Sequence, residues 1–131
     1  MKLNKIILTI STILILSSNV EANNNAEELF SNKCSVCHST TRPKDMKSVV
    51  APALMGIMRH LKMKYPNKDK AVLFIKDFVL NPTLEKSICM PQKIKRFGLM
   101  PSQKGNITEQ ELEIVGQWMF DKFSSKNFRG R

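Results

Sequence analysis

The stretch NKCSVCHST, residues 32–40, places two cysteines and a histidine in the pattern Cys34-x-x-Cys37-His38. Just upstream, Ala26, Leu29, Phe30 and Lys33/Cys34 recur at the spacing of one helical face. The pattern predicts a helix from about Ala26 through the C-x-x-C-H, to His38. On a helical turn, residues 34 and 37 fall on one side and residue 38 takes the neighbouring position.

Two further helices are predicted downstream. One runs from about Lys68 to Leu80, where Ala71, Val72, Ile75, Phe78 and Val79 form a single apolar stripe. Asn81-Pro82 stops it, because proline disfavours helical backbone at the residue before it. The other opens at Thr108. Thr108-x-x-Glu111 is a capping box, and Ile107 and Leu112 occupy the hydrophobic-staple positions around it. Leu112, Val115, Met119 and Phe123 continue as its apolar stripe, with Trp118 beside them. No alternating run of β-branched residues reads as a strand. The expected class is all-α. Residues 39–67 and 81–107 read as loop-rich, and loops that long in a small domain need something to wrap around.

The chain has 131 residues, enough for one small domain. Its first segment reads as a leader. MKLNK is basic, Ile6–Leu16 is an apolar run, and Val20 and Ala22 fit an A-x-A-like cleavage site. The expected division is a signal peptide at 1–22 and one domain at 23–131. An uncleaved anchor is the alternative, but a spanning helix needs about 20 apolar residues, and Ser17, Ser18 and Asn19 end the run early. Export to the periplasm is the corresponding expectation. Without Lys2, Lys5 and Glu21 the remainder keeps an excess of nine positive charges. A domain this small has a thin core and often needs a disulfide, metal or cofactor. The cysteines, Cys34, Cys37 and Cys89, are odd in number, which argues against a plain disulfide framework.

Two thiols spaced as Cys34 and Cys37 can each add across a haem vinyl group, and the next residue can place its imidazole on the iron. C-x-x-C-H therefore reads as covalent haem c attachment through Cys34 and Cys37, with His38 as metal ligand. A dithiol redox pair is a weaker reading, since it belongs after a strand in a βαβ unit. A structural zinc site needs about four ligands, and only Cys89 and His60 remain to supply them. The opposite face of the iron is either open or closed by a second ligand. Met100 and Met90, each followed by proline, and His60 are the candidates. Met46, Met55, Met58, Met63 and Met119 read as packing or surface residues. Cys89 reads as a small buried hydrophobe, or as a reactive or intermolecular thiol if exposed.

With these motifs in view, the chain resembles the small class I (monohaem) cytochromes c over nearly all of its length after residue 22. EELFSNKCSVCH is similar to that family's first helix, with Phe30 four residues before the first cysteine. APALMG, residues 51–56, resembles its G-P-x-L-x-G loop, with Ala51 where glycine is usual. FGLMPSQKGNITEQELEIVGQWM resembles its Met-Pro loop and C-terminal helix. The resemblance implies an all-α class I cytochrome c-like fold, with three or more helices and loops wrapped around one haem. It implies that Pro52 accepts a hydrogen bond from His38 and raises its basicity, that Met100 is the sixth iron ligand, and that Trp118 packs on the first helix near Phe30. A second Met-Pro, at Met90 after Cys89, departs from the family pattern.

The function expected on this basis is a periplasmic one-electron carrier, not an enzyme, with Leu54, Leu61, Phe74, Phe78, Phe97 and Leu99 as candidate haem-packing residues. The alternative is a haem-based sensor or ligand-binding module with a labile or absent sixth ligand. The positive charge suits acidic redox partner proteins such as oxidases or reductases, approached by long-range attraction. Basic groups cluster at Lys62 and Lys64, at Lys86, and at Lys93, Lys95 and Arg96. A transient membrane-surface association is compatible with the charge. Nucleic acid is not expected for an exported protein, and the lone domain suggests a monomer.

Overall fold

The computed structural model describes residues 25–123. The expected leader and the basic tail from residue 124 lie outside the described residues. Five helices follow one another, and no strand occurs among the described residues: α1 (25–33), α2 (Leu54–Lys64), α3 (Lys68–Leu80), α4 (Pro91–Phe97) and α5 (Glu109–Lys122). The all-α class is thus observed. No described helix is long and apolar enough to cross a membrane.

The strongest local signals act where expected. Asn67 caps α3 through Lys70 N–H, and α3 ends at Leu80, before Asn81-Pro82. At α5 the capping box is complete: the Thr108 hydroxyl accepts from Glu111 N–H at 3.2 Å, and Glu111 accepts from Thr108 N–H at 2.8 Å. Both staple residues, Ile107 and Leu112, are buried.

The core is assembled from one stripe per helix. Ala26 and Phe30 of α1, Leu54, Met58 and Leu61 of α2, Ala71, Val72 and Ile75 of α3, and Leu112, Val115, Trp118 and Met119 of α5 are all buried. Phe30 meets Trp118 with ring centroids 5.4 Å apart and planes tilted by 38°, which joins α1 to α5. Gly116 lets α5 lie close on α3: a β-carbon there would sit 3.4 Å from Val72 Cγ1 and 3.6 Å from Ile75 Cδ1. Tyr65, Phe74 and Phe78 stack in sequence, at 5.1 and 5.6 Å between centroids.

Three sequence expectations are corrected. The first helix ends at residue 33, and the cysteines occupy the hydrogen-bonded turn that follows. Residues 39–67 contain α2, whose stripe Leu54, Met58 and Leu61 carries the helical period. Its start is uncapped by any side chain, and Gly56 weakens its first turn. Residues 81–107 contain α4, a helix of seven residues that buries no side chain fully. Its ends are set by Pro91 at the start and by Gly98 at the C-cap, with φ of 76°. That left-handed backbone favours glycine.

Candidate functional site

The turn after α1 is held by backbone bonds that fan back into the helix. Cys34 and Ser35 N–H both donate to Phe30 O, and Cys37 and His38 N–H both donate to Cys34 O. Cys34 is half-buried, Cys37 is exposed and His38 is half-buried. Leu54 N–H then donates to Ser39 O at 2.7 Å, which fastens the start of α2 beside the turn. This closure brings residue 52 to the imidazole: His38 Nδ1–H donates to Pro52 O at 2.9 Å. With Nδ1 as donor to a carbonyl, the tautomer of the neutral ring is the one whose lone pair is on Nε2. Ser39 Oγ, next to His38, is buried and makes no hydrogen bond.

The segment around Met100 is fastened to α3 and α1. Gln103 N–H donates to Val79 O at 3.0 Å, and Ser102 Oγ donates to Leu80 O at 2.6 Å. Asn106 and Ile107 N–H donate back to Gln103 O, and the Lys33 amine donates to Asn106 O at 2.7 Å. Residues 101–107 are thereby tied to both α3 and α1.

These segments surround one cavity of about 260 Å³. Cys34, Cys37, His38, Pro52 and Met100 all line it. So do all six expected packing residues, Leu54, Leu61, Phe74, Phe78, Phe97 and Leu99. Neither Met90 nor His60 does. Met90 is the N-cap of α4 and substantially exposed, and His60 lies on α2 away from the wall. Met58 and Met119 also reach the cavity, as largely buried packing residues. Sequence reasoning did not place Cys89 in this wall, although the cavity lining includes it. Cys89 is half-buried, and its thiol is pushed up by burial and drawn partly back by Ser87 and by the Lys93 charge. Of the basic cluster Lys93, Lys95 and Arg96, expected from the sequence to border the haem edge, only Lys93 lines the cavity, placed there by α4.

The three cysteines are free thiols. Burial pushes the Cys34 thiol up, opposite to the lowered pKa that activates a redox cysteine. Among the described residues no three His, Cys, Asp or Glu side chains converge as a metal-holding set. The expected basic clusters differ in availability. Lys86 pairs with Asp77 at 2.8 Å. The Lys62 amine donates to Phe120 O and lies 4.1 Å from the Phe120 ring centroid. Arg96 donates to Met46 O, which ties α4 to the loop before α2. Lys64 and Lys95 are exposed.

Comparison with known proteins finds a relative in Aquifex aeolicus (strain VF5), an uncharacterized protein 29% identical over 109 aligned residues, covering 73% of this chain and 72% of that protein. No family model matches the chain. No solved structure matches it.

Proposed function

We propose that this chain is a periplasmic class I cytochrome c-type electron carrier, binding one haem covalently in the cavity lined by all five helices. The observation that carries the reading is the convergence of Cys34, Cys37, His38 and Met100 on one apolar cavity, with His38 oriented by Pro52. The donor set suits the group. Two thiols at C-x-x-C spacing can add S–H across two vinyl groups, an imidazole is fixed in one tautomer, and a thioether stands in the same wall.

Bound there, haem would supply a one-electron Fe(III)/Fe(II) couple, raised in potential by a thioether ligand and an apolar pocket. The residues divide the remaining work. Cys34 and Cys37 hold the group in place. His38 would present Nε2 to the iron, with its ring fixed by the Nδ1–H···O bond to Pro52. Met100 would offer its thioether as the second protein ligand, on a segment held by the bonds of Ser102 and Gln103 to the end of α3. Leu54, Leu61, Phe74, Phe78, Phe97 and Leu99 would keep water from the iron, which suits exchange of an electron alone. The positive charge steers acidic partner proteins to the molecule.

The test is carbon monoxide binding to the reduced, exported protein, with Met100→Ala, Met90→Ala and His60→Ala beside the wild type. The wild type, Met90→Ala and His60→Ala should resist carbon monoxide, and Met100→Ala should bind it readily. Ready binding by the wild type would instead assign the protein to the sensor or ligand-binding class.

A further inference from the structure

Among the described residues, the charged side chains lining the cavity are Lys33 and Lys93, with no Asp, Glu or Arg beside them. A wall with cations, no carboxylate and otherwise mainly apolar groups suits an occupant that brings its own negative charge. The two lysines are not equivalent. Lys33 is the neighbour of Cys34, and its amine is already committed to Asn106 O. Lys93, half-buried on α4, makes no side-chain hydrogen bond or ion pair with the described residues. Its amine stands 5.8 Å from the Phe97 ring centroid, and Ser87 and Cys89 share its part of the wall.

We propose that Lys93 receives a carboxylate of the haem, an inference that rests on the haem reading above. Haem carries its carboxylates on the edge opposite its vinyl groups. Attachment through Cys34 and Cys37 fixes the vinyl edge at the turn after α1. The carboxylate edge is then turned away from residues 33–38, so Lys33 is excluded by position as well as by its existing bond. A carboxylate in an apolar wall is costly unless it is paired, and the Lys93 ammonium offers the charge-assisted hydrogen bond that removes this cost. Lys93 is a binding and positioning residue in this account and does not touch the iron.

Equilibrium redox titration of the haem-loaded protein tests the assignment. An ammonium held near the iron disfavours the extra positive charge of the ferric state. Lys93→Gln should therefore raise the ferric-to-ferrous ratio at fixed applied potential by roughly tenfold, which is about 59 mV for a one-electron couple. Lys93→Arg should restore most of it. Lys95→Gln, at an exposed position of the same helix, should give a smaller shift that high salt abolishes. Equal shifts in Lys93→Gln and Lys95→Gln, both abolished by salt, would overturn the proposal. A crystal structure of the haem-loaded wild type decides it without any variant: Lys93 Nζ within about 3.2 Å of a haem carboxylate is expected, and Lys93 turned to solvent would refute it. Wild-type protein with no covalent haem would remove the haem reading itself, a failure distinct from a redox-active protein whose Lys93 is idle.

Discussion

Phe30 offers the sharpest test of how the attachment turn is held. Its ring is almost fully buried, stacks obliquely on Trp118 at 5.4 Å, and accepts on its backbone oxygen the N–H groups of Cys34 and Ser35. Phe30→Ala removes the ring and leaves those backbone bonds in place. Full truncation of a buried phenylalanine costs about 3–5 kcal/mol. One side of this ring faces the cavity, so the lower end, about 3 kcal/mol, applies. In a domain of about 100 residues each kcal/mol lowers Tm by roughly 4–8 °C, so a fall of at least about 12 °C is expected. Phe30→Leu should cost less, since it keeps apolar volume and loses chiefly the aromatic pairing, about 0.5–1.5 kcal/mol. Urea unfolding followed by circular dichroism, with Trp118→Leu and the double variant completing a cycle, isolates that pairing. A cost below about 1 kcal/mol for Phe30→Ala, or no coupling to Trp118, would refute the claim that this pair anchors α1 on α5.

Two other expectations concern α5. Gly116→Ala should change stability little, because helix propensity gains while a methyl meets Val72 at van der Waals distance, whereas Gly116→Val should cost about 1–3 kcal/mol by overpacking against α3 in the same urea assay. The Glu111 carboxyl is held below the usual glutamate value, chiefly by Thr108 N–H; its contribution is present above that usual value and lost as pH falls through the lowered folded one, so Glu111→Gln should flatten the acid limb of a Tm–pH profile, and an unchanged limb would contradict the capping box.

The fold was legible where short-range chemistry decides it. The Thr108 and Glu111 side chains satisfy each other's backbone within one turn, and the α3 stripe carries its own period and its own stop. The helix α2 was obscured because Gly56 and an uncapped Ala53 conceal a stripe that is stabilised by burial against the other helices. The helix α4 has no fully buried residue to show periodicity, and only its proline and glycine bracket it. In the candidate site, His38 and Pro52 are linked by a loop whose closure depends on Leu54 N–H reaching Ser39 O. Family resemblance supplied that pairing, and residue spacing alone would not have. Cys89 was not anticipated as a wall residue because its place follows from the start of α4, the element whose local signal was weakest.

The central claim is that Cys34 and Cys37 carry haem by covalent bonds. The direct measurement is to export the full chain from a host that matures c-type cytochromes, and then to weigh the intact protein and follow its haem absorbance through denaturation and acid–acetone extraction. The account predicts a mass increased by one haem that stays on the polypeptide after extraction, and loss of that increase in the Cys34→Ala/Cys37→Ala variant. A chain of unmodified mass from that host, with free or disulfide-bonded Cys34 and Cys37, would contradict it.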